Sequence, residues 1–338
     1  MKFDVMKAVY CYFFPETREV LRRIILPDEL FLVSSTAKSV ERFLATRLPL
    51  NPPLQISATS EGRVDLDAIH EPIMSRIKKA YTQVVQHLTD FNYNYPTSGS
   101  SEGIFHLLAQ LKTTGVNSIN VLSGEYEGFG IQAQNLGINV ITREQEDIGE
   151  PGYWFISNPS ARDGNILPNS FINKLCSNGH RVILDIAYVG STKQHKFDVR
   201  HENIRAVVMS FSKPYGTFRF RTGGFVFSRH EIPSLYGNKW FKDITRLFQA
   251  VALAELIGPV KLWNKYVQVQ KKIISSINNE FGLNMRQSDA LLLGYITDRD
   301  AKVLTAEQQK LIAPFQRGAG YRFCLTPYFE AFEANEFV

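Results

Sequence analysis

Strands are predicted in the middle of the chain at Ser118–Leu122, Asn139–Thr142, Trp154–Ser157, Arg181–Asp185, Ala206–Ser210 and Gly224–Ser228, several of them short apolar runs without polar alternation. Strands covered on both faces read this way. Helical patterns following Gly103, Tyr126 and Asn169 alternate with them, as in an α/β domain. Upstream, Ile69, Ile73, Met74, Ile77, Ala80 and Val84 recur at helical spacing and predict an amphipathic helix over about 66–89. Residues 1–50 read as mixed and mostly helical, up to a break at Pro49 and Pro52-Pro53. After Asn238 a long helical stretch is predicted to about Glu280, then a strand Leu291–Ile296, a helix Ala306–Ile312 and a strand Tyr321–Thr326. The expected fold is α/β: a mixed, mainly parallel central sheet flanked by helices, with a small C-terminal α+β lobe. The expected division is an N-terminal helical segment over 1–60, a large domain over 61–255 and a small domain over 256–338.

Composition narrows the class of function. The 338 residues are 44% hydrophobic and 21% charged, which is ordinary globular material with length enough for a large core. No uninterrupted apolar run approaches the roughly 18 residues of a membrane span. Charges at Lys2, Asp4 and Lys7 interrupt what would be a signal's apolar stretch. Cys11, Cys176 and Cys324 are few, odd in number and far apart, which fits a reducing cytoplasm and excludes a CxxC metal pair. The net charge of +5 comes without a Lys/Arg-rich block, so no nucleic-acid role is expected. His201-Glu202 lacks the second histidine of HExxH, and no GxSxG elbow is present.

The chemistry concentrates in Ser210-Phe211-Ser212-Lys213, followed by Arg221 and Gly223-Gly224. A lysine can form a Schiff base with an aldehyde, and flanking hydroxyls with a downstream arginine can bind a phosphate dianion. Together they point to pyridoxal phosphate (PLP). Asp185 ends an apolar strand, with Tyr188 three residues on. A carboxylate there suits a cofactor whose pyridine nitrogen must stay protonated. A Walker-B role would need a GxxxxGK[ST] loop, which is missing, while a structural strand-end aspartate stays open. Thr97-Ser98-Gly99-Ser100-Ser101-Glu102 opens a helix, as a phosphate cradle or an ordinary cap. Tyr126 sits in a turn after a strand, where it would stack on a ring or simply face solvent. Arg322 is a lone guanidinium in an apolar strand and needs an anionic partner, from a structural carboxylate or from a substrate.

In this order the segments resemble the aspartate aminotransferase family, the fold type I PLP enzymes of aminotransferase class I/II, over roughly residues 97–228 with an echo at 320–326. That family pairs a strand-end D-x-A-Y with S-x-S-K and an arginine eight residues on, here Asp185/Tyr188, Ser210/Lys213 and Arg221, with Gly216 also in place. The resemblance implies Lys213 as the Schiff-base lysine and proton carrier. It implies Ser210, Arg221, Ser100 and Ser101 around the phosphate, with Ser212 a further candidate. Tyr126 would stack on the ring, Asp185 would pair with the pyridinium, Tyr188 would bond the phenolic oxygen and Arg322 would bind the substrate's α-carboxylate. A homodimer acting on an amino acid and an oxo acid in amino acid metabolism follows from the same resemblance, and the cysteine usage makes it cytoplasmic.

Two departures qualify the reaction. The family's N-P-x-N-P-T-G loop reads Asn158-Pro159-Ser160-Ala161-Arg162-Asp163-Gly164, so Ala161 stands where the ring-oxygen asparagine belongs, unless Asn158 replaces it. The chain is also shorter than its typical relatives, and Tyr93 and Tyr95 are poor matches for the tyrosine that the family contributes across its dimer. Aminotransferase is the leading expectation. A PLP-dependent decarboxylase, lyase or amino-acid oxidase is the alternative, and a binding protein without turnover the third. Arg162 and Arg219 are the nearby arginines that could read a substrate side chain.

Overall fold

The computed structural model describes residues 12–24, 36–220, 223–236 and 244–333. Seven strands form the central sheet: β1 (Tyr93–Thr97), β2 (Ser118–Leu122), β3 (Asn139–Arg143), β4 (Tyr153–Ser157), β5 (Arg181–Asp185), β6 (Ile204–Ser210) and β7 (Gly224–Ser228). Their order is β1-β7-β6-β5-β4-β2-β3. Strands β2 to β6 are mutually parallel, while β7 runs antiparallel to both β6 and β1.

The unalternating apolar runs are explained by two cores, one on each face. Val182 and Leu184 of β5 join Trp154, Ile156, Val207 and Met209 in one cluster. Ile183 joins Phe155, Ala206, Val208 and Val226 in the other. Full burial of each such side chain contributes roughly 1.5–3 kcal/mol. The helix Ser100–Thr113 lies tight on the second face, because a Cβ at Gly103 would come within 2.4 Å of Val226 Cγ2.

A second, four-stranded antiparallel sheet forms the C-terminal lobe from β8 (Arg286–Gln287), β9 (Leu293–Ile296), β10 (Gln316–Arg317) and β11 (Gly320–Cys324), in the order β8-β9-β11-β10. Among the described residues no helix is long and apolar enough to cross a membrane.

Several elements differ from the sequence expectation, each for a local reason. The helix expected over 66–89 is His70–Tyr81 alone. The chain then makes a short parallel pair, Val85–Gln86 with Phe197–Asp198, and turns through His87 at φ 66°. The long helix after 238 is two helices, Ile244–Leu256 and Lys261–Phe281, separated at Gly258-Pro259, where Gly258 has φ 71°. The last strand stops at Cys324, and Thr326-Pro327 opens a helix to Glu333. Strand β1 was not expected. Pro96 masks it, and the sheet accommodates a proline there because β1 is an edge strand, paired only with β7.

Candidate active site

Parallel strands bring their carboxyl ends to one edge. Leu122, Ser157, Asp185 and Ser210 end β2, β4, β5 and β6 there, and the antiparallel register adds Gly224 and Thr97. Neighbours β2 and β4 connect in opposite directions, to β3 on one side and β5 on the other. Such a switch point opens a crevice beyond the strand ends, where ligands bind in α/β sheets.

Lys213 follows β6 in a turn that the core holds firmly. Phe211 is fully buried, with ring centroids 4.9 Å from Tyr215 and 5.0 Å from Phe225. Thr217 Oγ1 donates to Phe211 O at 2.9 Å, and Tyr215 OH donates to Gly258 O at 3.2 Å while meeting Tyr81 OH at 2.9 Å. Gly216, at φ 71°, lets the turn pass under the N-terminal segment, where a Cβ would lie 2.0 Å from Tyr12 O. Lys213 Nζ lies 4.2 Å from the Tyr188 ring centroid and 5.7 Å from that of Tyr126, so both tyrosines face the lysine.

Asp185 is 4% exposed, and its Oδ1 accepts from Ala187 N at 2.9 Å. Burial pushes its carboxyl up to about 6, opposed by the Lys213 charge and the Ala187 N–H. A buried carboxylate so placed favours a cationic partner. Ser210 Oγ accepts from Ser212 N at 3.2 Å. Ser212 Oγ is itself buried without a hydrogen-bond partner among the described residues. Across the edge, Ser100 and Ser101 occupy the first turn of the helix Ser100–Thr113, seated by the close approach of Gly99 to Gly224. Ser101 Oγ meets Tyr126 OH at 2.9 Å. The Glu102 carboxylate accepts from Ser98 N, one residue before the N-cap Gly99, and no side chain caps this helix. Arg221 lies outside the described residues.

The loop after β4 carries Asn158 and Ala161, the two positions the sequence left open for the ring-oxygen contact. Asn158 is buried, its Nδ2 donates to Leu167 O at 3.1 Å and its Oδ1 accepts from Leu167 N at 2.9 Å. Its amide therefore shapes the loop at both ends. Ala161, the position of the expected asparagine, contributes only backbone: its N–H donates to Ser157 Oγ at 2.6 Å and its carbonyl accepts from Arg322 Nη1. Arg322, on β11 opposite Tyr295, thus reaches across from the small lobe to the loop. Arg162 is paired with Asp163 at 3.4 Å, and Arg219 is exposed. Tyr95 uses its hydroxyl to accept from Ile232 N, and Tyr93 is 40% exposed.

Sequence reasoning missed Glu125 and Ser157. Glu125 follows β2 at the switch point and is 7% exposed. It accepts from Tyr126 N at 2.8 Å, from Ser157 N at 2.9 Å and from Ser157 Oγ. Burial pushes it up to about 7, and the nearby Asp185 charge adds to that, against the pull of the three donors. The sequence distinguishes it from Glu127 only by its place immediately after the strand.

No protein-family model matches the chain, and no curated protein matches it. Solved structures do. An aminotransferase from Mycobacterium tuberculosis superposes with a TM-score of 0.59 and 18% identity, covering 87% of this chain and 84% of its own. The PLP-bound C-S lyase from Staphylococcus hominis gives 0.64 and 9%, covering 97% and 88%. L-threonine-O-3-phosphate decarboxylase from Porphyromonas gingivalis gives 0.52 and 14%, covering 78% and 89%. The chain has the fold type I architecture of these enzymes. That architecture hosts transfer, elimination and decarboxylation alike among these three, so the reaction has to be argued from the site.

Proposed function

We propose that this chain is a PLP-dependent aminotransferase that moves an amino group from an amino acid to an oxo acid. The observation that carries the reading is Lys213 Nζ set against the Tyr188 and Tyr126 rings, with buried Asp185 close enough for its charge to be felt. The residues fit the cofactor. Ser212 Oγ is a buried hydroxyl with no partner among the described residues, next to the lysine, and Asp185 is a buried carboxyl that burial raises against the pull of the Lys213 charge. A helix N-terminus with Ser100 and Ser101 supplies donors suited to a phosphate.

When bound, the cofactor supplies an aldehyde for the amine and a pyridinium that draws electron density from a breaking bond at the substrate's Cα. Lys213 would anchor the cofactor through Nζ and would carry the substrate's α-proton. Asp185 would pair with the ring nitrogen. Tyr126 would pack on the ring, and Tyr188 would bond the phenolic oxygen. Ser100, Ser101, Ser210, Ser212 and Arg221 would bind the phosphate. Arg322 binds the α-carboxylate, with its guanidinium steadied by the Ala161 carbonyl. The reading also takes the enzyme to be a cytoplasmic homodimer, with residues 61–255 as the cofactor domain and 1–60 and 256–338 as the small lobe.

One observation favours a second reading. The Ala161 side chain has no donor for the ring oxygen and the Asn158 amide is bonded to Leu167, so decarboxylation, lyase or oxidase chemistry on the same lysine is the alternative. The visible spectrum of the PLP-loaded protein, recorded against a panel of amino acids, separates the two. Bleaching of a yellow band by one amino acid and its return with an oxo acid supports transamination. Ammonia, carbon dioxide or peroxide released without an acceptor supports the alternative, and the absence of any band sinks both.

A further inference from the structure

Glu125 and Ser157 have no part in the chemistry above, yet they meet where the central sheet opens. The pairing of β2 with β4 ends at Val121 opposite Phe155, while β4 stays in register with β5 as far as Ser157 opposite Asp185. Beyond that point the Glu125 carboxylate takes the place of a backbone partner. Its Oε2 accepts from Ser157 N at 2.9 Å, and its Oε1 accepts from Tyr126 N at 2.8 Å and from Ser157 Oγ. With its proton given to Glu125, Ser157 Oγ accepts from Ala161 N at 2.6 Å. The Ala161 carbonyl in turn accepts from Arg322 Nη1. Glu125, Ser157 and Ala161 are all buried, so water competes little for these bonds. The ends of the loop are anchored separately, by the Asn158 amide on Leu167 and by Gly164 O, which accepts from Ala290 N at 2.9 Å. Ala161, at its middle, carries no polar side-chain atom, and Ser157 holds it through the backbone.

We propose, resting on the PLP reading above, that Glu125 and Ser157 are positioning residues for the substrate's carboxylate: they fix the Ala161 carbonyl, and that carbonyl aims the guanidinium of Arg322. A guanidinium is planar and rigid, so fixing one N–H sets the direction of the others. Two-pronged binding of a carboxylate needs that direction held. Among the described residues no carboxylate pairs with Arg322, so its fork is turned to a ligand. Removing the Ser157 hydroxyl cuts the relay at one place and leaves the bonds from Ser157 N and Tyr126 N to Glu125 intact. The loss should therefore fall on ligands that carry a carboxylate, and not on the cofactor.

The visible band of the PLP-loaded protein is titrated with the common L-amino acids, and the one that binds most tightly is compared with the amine lacking its α-carboxylate. Wild type should hold the amino acid more tightly than the amine. Ser157→Ala should weaken the amino acid by about tenfold, the upper range for one hydrogen bond, and leave the amine and pyridoxal 5′-phosphate within about twofold. Glu125→Gln should act in the same direction, because its amide nitrogen would meet the Ser157 N–H as a second donor. Should Ser157→Ala not fold, Ser157→Cys fills the same space with a far weaker hydrogen-bonding group. Equal losses for amino acid and amine, or none for either, overturn the proposal and mark the pair as merely structural. Absence of a band in wild type instead overturns the PLP reading, and absence of any preference for the amino acid overturns the role of Arg322. Hydrogen exchange of the unloaded protein tells these failures from a failure of the relay. There Ser157→Ala should speed exchange over residues 158–164 and spare the helix Ser100–Thr113, and an unchanged loop contradicts the relay itself.

Discussion

Among the described residues, buried Lys78 and half-buried Lys213 sit in opposite surroundings. Lys78, on the helix His70–Tyr81, is 7% exposed, donates to Phe91 O at 2.6 Å and lies 5.6 Å from the Phe227 ring centroid. Burial pushes it down to about 8, and only Asp90 offers a compensating charge. Lys213 sits at the carboxyl edge of the sheet, in a turn clamped by Phe211, Tyr215 and Gly216, between two tyrosine rings and beside a raised carboxyl. The first lysine ends on a neutral carbonyl and closes a gap in the fold. The second has near it a buried Ser212 hydroxyl with no hydrogen-bond partner among the described residues. Burial alone does not distinguish the two lysines; their surroundings do.

The contrast can be broken at either end. Lys213→Ala should lower turnover by about 10⁴-fold, the upper range for losing a proton-transfer group, with a thermal midpoint close to wild type. A comparable activity in the variant would remove Lys213 from the chemistry. Asp185→Asn should weaken pyridoxal 5′-phosphate binding by about 100-fold or more, as expected when one member of a buried charge pair is lost; equilibrium dialysis measures this, and an unchanged constant would contradict the pyridinium role. Lys78→Met should leave that constant alone and cost roughly 1–3 kcal/mol of stability, because the Phe91 carbonyl loses its donor. Denaturant unfolding provides the check. The same variant has a pH signature. Between about 8 and the ordinary lysine range, Lys78 is neutral when folded and charged when unfolded, so its contribution to stability grows as pH rises. Lys78→Met should flatten that rise.

Strands β2, β4, β5, β6 and β7 were legible because burial on both faces writes itself into sequence as uninterrupted apolar runs, whereas the edge strand β3 is largely exposed. Strands β2, β5 and β7 lie on the expected residues, and β3, β4 and β6 differ only at their ends. Elements governed by local backbone chemistry were less visible: Pro96 concealed an edge strand, and Gly258-Pro259 split a helix whose apolar periodicity continues on both sides. At the site, Lys213, Tyr126, Asp185 and Tyr188 converge as their motif spacing suggested. Glu125 was illegible for a physical reason. It and Glu127 are near-identical in sequence context, yet the crevice between β2 and β4 buries the first against Ser157, whereas the second is exposed and paired with Arg317. Which of two neighbouring acids turns inward depends on strand order, and strand order is not a local property of the chain.

The proposed function stands on Lys213, and not buried Lys78, carrying the covalent chemistry. Borohydride reduction of the protein incubated with pyridoxal 5′-phosphate, followed by peptide mass mapping, tests it directly. A stoichiometric phosphopyridoxyl mass is expected on the peptide containing Lys213, absent in Lys213→Ala and with Lys78 unmodified. A label on Lys78 or spread over surface lysines, or none at all, would contradict it.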